Sequence, residues 1–234
     1  LMALAIATNN AALNAAASAS SVNRDMETSM ARLSSGKRIN SASDDAAGVA
    51  ISSRLSAEIR GTDQAIRNSL DGQALIDTAE GAHKEIENIL QRMREVTIQA
   101  ANDTNNDQDR ANLQAEIEAM TTEIDRIAGT TTWAGADLME DATTTFSFQV
   151  GAATGTQNQI AVTIKTMNAT GLAVGDGTDS EIDVETSGAT ANAGTGLIDA
   201  AIEKVNIQRS ELGAVSNRLN HTVNNLTNIS SNLS

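Results

Sequence analysis

No proline occurs anywhere in the 234 residues of this chain. Proline removes a ladder N–H and clashes with the preceding turn, so its absence permits long uninterrupted helices. What must pack those helices is equally constrained. Apolar residues make up 40% of the chain, yet there are only one Trp, two Phe and no Tyr. Aromatic rings are the usual large units of a compact core. Here Ala, Leu, Ile, Val and Met must do nearly all the packing, and small aliphatic residues suit close helix–helix contact better than a thick layered core.

Periodicity places the helices. Ala-rich residues 3–20 favour helix by propensity. Val22, Met26, Met30 and Leu33 recur at helical spacing, and the turn formers of residues 34–48 interrupt them. Leu55, Ile59, Ile66 and Leu70 resume an apolar stripe, followed by Ile86, Ile89, Met93, Val96 and Ala100. After a polar break at 102–109, Leu113, Ile117, Met120, Ile124 and Ile127 alternate by four and three, which is a heptad seam. The last segment is the clearest. Ile198, Ile202, Val205, Leu212, Leu219, Val223, Leu226 and Leu233 share one register, with Arg209, Ser216 and Ser230 in its remaining slots. As a helix it would extend roughly 50 Å. Its narrow seam needs partner helices, because alone it would leave the stripe in water. The two ends of the chain are therefore expected to pack on each other. Met93, Leu113, Ile117, Met120, Ile124, Ile127, Leu212, Leu219 and Leu226 are the predicted packing residues. The pattern stops in mid-register at Leu233-Ser234 without a cap, so the natural chain is expected to continue.

The middle of the chain changes period. Phe146, Phe148 and Val150 alternate with polar residues, as do Ile160, Val162 and Ile164, which predicts a β-hairpin around a Gly-rich loop. Residues 171–196 carry little apolar content, with one short strand expected at 181–185. Little core depends on this zone, so it is the natural site for variation. The predicted fold is mainly α: an elongated antiparallel helical bundle or coiled-coil rod from the N- and C-terminal segments, with a small hairpin-containing middle. Its divisions are a terminal-helix segment at 1–33, rod helices at 34–140, a variable region at 141–196 and the last rod helix at 197–234.

Composition argues against several functions. A net charge of −14 disfavours nucleic acid and anionic membrane surfaces, since phosphate binding needs Lys and Arg clusters. With no Cys there is no disulfide, thiolate chemistry or Cys-based metal site. No apolar run approaches the ~20 residues of a membrane helix. The start of the chain lacks the basic region of a signal peptide, which implies export without a cleaved signal if the protein is exported. No GxSxG, HExxH, GxxxxGK[ST] or GxGxxG pattern occurs. The chain has two histidines. His83, near Glu85 and Glu87, is expected on a solvated helix face, and His221 on a helix surface or in a groove. Residues 103–114 begin like a calcium loop, but Gln108 stands where the turn needs Gly and Gln114 where a bidentate Glu is needed. Residues 176–183 could hold a weakly bound cation. Met26, Met30, Met93 and Met120 are expected as packing filler. No enzyme, cofactor or metal is predicted.

Residues 30–55 (MARLSSGKRINSASDDAAGVAISSRL) closely resemble the N-terminal hallmark of bacterial flagellins. Residues 69–102 and 113–139 continue the resemblance, and residues 201–234 look like the family's C-terminal helix. The likeness covers residues 2–140 and 197–234, and the middle zone falls where flagellins vary most. Trp133 and Ala134 depart from the family's usual Phe-Asn. The further helix that ends intact flagellins is missing, which implies a monomer that polymerises poorly. The resemblance implies a subunit of an extracellular filament for swimming motility that self-assembles with other copies. It implies a flagellar export route without a cleaved signal, and an export chaperone, a cap protein and hook-junction proteins as partners. Many flagellins are sensed by a Toll-like innate immune receptor through helix-face residues that fall here at Arg92, Val96 and Glu116. Val96 stands where receptor-activating flagellins commonly carry Leu.

Two other classes compete with this reading. A cell-surface adhesin or glycan-binding protein would need aromatic and carboxylate clustering in 129–196, where Trp133, Phe146 and Phe148 are the only aromatics. An enzyme would have to fit into that same short and loosely patterned stretch. A hook-junction protein shares the terminal helices, but residues 32–48 favour the filament subunit.

Overall fold

The computed structural model describes residues 9–140, 143–176 and 180–233. The chain divides into two compact units, residues 1–58 and 59–234. The expectations for the first residues of the chain and for its final Ser234 lie outside the described residues.

The first unit contains helix α1, Asn10–Ser35. Asn9 opens it by accepting the Ala12 N–H at 3.2 Å, and Gly36 closes it with φ 66°, a left-handed position that glycine tolerates best. No described residue of α1 is buried. Val22, Met26, Met30 and Leu33 are all exposed, Leu33 at 82%. In the turn that follows, the Asp44 carboxylate accepts the Asn40 and Ser41 N–H groups at 3.1 and 3.0 Å. Those donors hold its pKa below the usual range. Asp45 accepts the Gly48 N–H at 2.9 Å and so caps the start of helix α2, Ala46–Ala100.

The second unit is a helical bundle with small β additions. Along α2 the seam residues are Thr62, Ala65, Ser69, Gly72, Ile76, Ala79, His83, Ile86, Leu90, Met93, Thr97 and Ala100, all buried and spaced three and four apart throughout. Most are small, which lets a partner backbone approach closely. The partner is helix α5, Gly188–Leu233, running antiparallel. Asp63 with Ser230, Gln73 with Asn220 and Arg94 with Asp199 are bonded along its length. A Cβ on Gly72 would stand 3.3 Å from Leu219, and one on Gly194 3.8 Å from Thr97, so these positions face each other across the seam.

Two expectations are corrected here. The stripe Leu55, Ile59, Ile66 and Leu70 is not the packing edge of α2: Leu70 is exposed and the others are half-buried. Thr62, Ala65 and Ser69 lie inside instead, because the close approach of α5 leaves room only for small side chains. In α5 the buried positions between Ile198 and Leu212 are Ala201, Val205 and Gln208 rather than Ile202 and Arg209. The longer side chains turn outward by one residue and cover the seam's flank.

Helix α3, Asp107–Thr130, folds back on α2. Asn106 and Asp109 form a reciprocal capping box that starts it. The stretch expected to fail as a calcium loop is thus a helix N-terminus. Arg110 is buried, and its guanidinium donates to the carbonyls of Ala100 and Asn102, closing the end of α2. Strands β1, Thr132–Trp133, and β2, Ala136–Asp137, form a tight hairpin whose turn residues Ala134 and Gly135 have φ of 50° and 84°. Strands β3, Thr144–Gln149, and β4, Gln159–Ile164, form the predicted hairpin, with Phe146 opposite Val162 and Phe148 opposite Ile160. A short helix α4, Ala169–Leu172, is held where Asp125 accepts the Ala169 N–H at 2.6 Å. The strand expected at 181–185 is absent. Ile182 and Val184 are buried, but only a single bridge, Gly175 to Ser180, pairs nearby. The last helix begins at Gly188, earlier than the expected 197, because Thr190 and Ser187 cap one another's backbone there.

Candidate assembly and recognition faces

The seam determines which side chains of the second unit are left on the surface. Met93, Leu113, Ile117, Ile124, Leu212, Leu219 and Leu226 are buried, while Met120 and Ile127 are half-buried against the same core. Residues one step off this line form charged flanks. Arg92 projects between α2 and α3, donating to one Glu116 oxygen through Nε at 3.0 Å and Nη2 at 2.8 Å. Its remaining Nη1 reaches Glu95 at 3.0 Å. The hydrogen bonds it donates to Glu116 and then to Glu95 hold the Arg92 pKa above its usual value. Both partners stay accessible, with the Arg92 side chain 53% exposed and Glu116 40%. Val96, one turn along, is completely buried. Its side chain therefore does not share the exposed face that Arg92 and Glu116 form.

The opposite flank joins α2 to α5. Arg94 donates to Asp199 at 2.6 Å. Arg209 lies between Glu80 and Glu87, bonded to both, with Glu80 at 2.8 and 2.7 Å. Lys165, just past the end of β4, pairs with Glu211 at 2.9 Å. An open groove between α2 and α3 has Ala82, Ile89 and Ile127 on its floor and Asp77 and Glu85 on its rim.

His83 overturns its expectation. It is not on a solvated face but wholly buried in the seam. Burial first, with the Arg209 charge adding to it, lowers its pKa to about 4 against the pull of Glu80. Its heptad spacing from Ile76, Ala79, Ile86 and Leu90 was the signal that its polar neighbours in sequence concealed. His221 is exposed. Among the described residues, no group of three or more His, Cys, Asp or Glu side chains could hold a metal ion. No described helix is long and apolar enough to cross a membrane.

The bacterial flagellin N-terminal helical region matches residues 6–144, and the bacterial flagellin C-terminal helical region matches residues 195–234. This chain belongs to the flagellin family. The flagellin of Halalkalibacterium halodurans is 46% identical over 209 residues, covering 88% of this chain and 74% of that one. Bacillus subtilis flagellin is 41% identical, covering 96% and 83% of the two chains. The crystal structure of Bacillus cereus flagellin superposes with a TM-score of 0.57 at 32% identity, over 68% of this chain and 88% of that one. A putative flagellar hook-associated protein from Vibrio parahaemolyticus shares the fold, with a TM-score of 0.68 at 17% identity. The chain is thus a flagellin, a structural subunit of the bacterial flagellar filament. The stretch between the two matched regions holds the β3–β4 hairpin and α4.

Proposed function

We propose that this flagellin polymerises with further copies of itself through the charged flanks of α2, α3 and α5, and that its role is structural rather than enzymatic. The observation that carries this reading is the division of labour within the second unit. Its seam is filled from within, while the ion-paired Arg92, Glu95, Glu116, Arg94 and Asp199 stay on the surface. Charged faces of this kind set register between neighbours more than they supply affinity, and stacking of identical units through unlike surfaces gives an open filament. Residues 1–33 serve as a terminal segment, 34–140 and 197–234 as the helical body, and 141–196 as the variable part. Export without a cleaved signal, an export chaperone, and cap and hook-junction proteins complete the reading, with no nucleic-acid or membrane partner. The adhesin alternative finds no support, since Trp133, Phe146 and Phe148 pack against the core.

The test is expression of this chain, joined to the part of the Halalkalibacterium halodurans flagellin that it does not cover, in a bacterium deleted for its own flagellin, followed by electron microscopy and swimming assays. Filaments containing this chain are expected. Secreted chain with no filament in any salt condition overturns the reading.

Recognition by a Toll-like receptor would use Arg92 and Glu116 directly, with buried Val96 acting only through the packing beneath them. Arg92→Ala should then reduce receptor-reporter activation by about tenfold, the scale of an interface arginine. Unchanged activation would remove Arg92 from the recognition surface.

A further inference from the structure

The seam contains one layer that its packing does not explain. Eleven residues along α2 from Gly72 lies His83, and eleven back along α5 from Leu219 lies Gln208. From the other end, fourteen residues back from Thr97 and fourteen forward from Gly194 reach the same pair. His83 and Gln208 therefore occupy one layer, and both are wholly buried. Gln208 spends its amide on the Thr163 carbonyl at 2.9 Å, which orients its Oε1 away from β4. Nδ1 and Nε2 of His83 and Oε1 of Gln208 are all buried without a hydrogen-bond partner. Leaving them unpaired in a dry seam is costly.

We propose that His83 and Gln208 share one buried polar layer of the α2–α5 seam, and that protonation of the partnerless His83 ring opens the bundle in acid. The imidazolium would bring a full charge into the seam with a second donor that has no acceptor there.

The surrounding charges deepen the effect. Glu80 and Glu87 flank His83 on its own helix, but Arg209 of α5 occupies both carboxylates. At this level α3 presents Asp125, which is engaged by the Ala169 N–H, and β4 continues to Lys165, which is paired with Glu211. Glu80 offsets only part of the cost of an imidazolium, because Arg209 shares its carboxylate. With the folded-state pKa near 4 and the unfolded value at 6.5, the unfolded chain binds the extra proton in that window. The folded state is undisturbed above pH 6.5 and loses up to tenfold in its folding equilibrium per pH unit below it, about 150-fold by pH 4.

The experiment compares urea unfolding of the whole chain with that of His83→Gln, which keeps a polar layer and does not titrate. The ratio of their folding constants should fall steeply between pH 6.5 and 4.5. A ratio independent of pH overturns the acid release. The titrating carboxylates are common to both proteins and cancel. A cycle with Gln208→Leu and the double variant at pH 7.5 should show coupling, and additive effects would overturn the layer. Should His83→Gln fail to fold, nuclear magnetic resonance titration of the His83 ring in the unaltered chain decides the acid release. A midpoint well below 6.5 supports it and one near 6.5 overturns it.

Discussion

At the scale of single residues, the backbone is strained at Ala134. Ala134 holds φ 50° in the two-residue turn between β1 and β2, followed by Gly135 at 84°. Both positions of such a turn need positive φ, which Asn and Gly adopt readily and Ala does not. Ala134→Asn should therefore raise stability by about 0.5–1 kcal/mol, seen as an increase in Tm by calorimetry. No gain would mean that the hairpin contributes nothing to the cooperative unit. Residues of this kind were half legible in the sequence. The departure at Trp133 and Ala134 was visible, but the turn was not, because strands of two residues leave no alternation to detect. His83 was misplaced for a related reason. Charged neighbours in sequence say little about a helix, where the next residue points a third of a turn away.

At the scale of elements, the long helices were readable because nothing in the chain interrupts them and their apolar spacing is regular. Their packing edges were read less well. Leu70 and Ile207 look like core residues and are exposed, whereas Thr62, Ser69 and Gln208 look like surface and are buried. The seam selects for size, since two backbones that approach closely exclude bulky side chains, and apolar periodicity does not measure size. Arg110 is the residue at this scale that the sequence reading missed. It serves the end of another helix, and a contact from α3 to the carbonyls of Ala100 and Asn102 leaves no periodic trace. Arg110→Ala should cost about 2–3 kcal/mol, the loss of charge-assisted bonds to two partly buried carbonyls. Chemical denaturation reads this directly. A loss below about 0.5 kcal/mol, the level of an ordinary surface change, would show that water replaces the guanidinium there.

At the scale of the whole molecule, the two units differ in what holds them. The second has a continuous core that runs from Leu75 through the α5 seam to the hairpin. The first has helix α1, which buries no described side chain and exposes Leu13, Val22, Met26, Met30 and Leu33. A helix without a packed face is marginal in water even when its propensities are good. Protection of an amide from hydrogen exchange follows the free energy needed to open it. In the isolated chain, amides of residues 10–35 should exchange within seconds, while those in the seams of α2 and α5 should resist for hours or longer, measured by exchange mass spectrometry at neutral pH. Equal protection in both units would mean that α1 has acquired packing in solution. Within assembled filaments the same amides should slow by orders of magnitude, because polymerisation is the event that would bury the exposed Val22, Met26 and Met30. If exchange in 10–35 stays fast in the polymer, assembly does not use that face, and the charged flanks of the second unit would have to carry the subunit contacts alone.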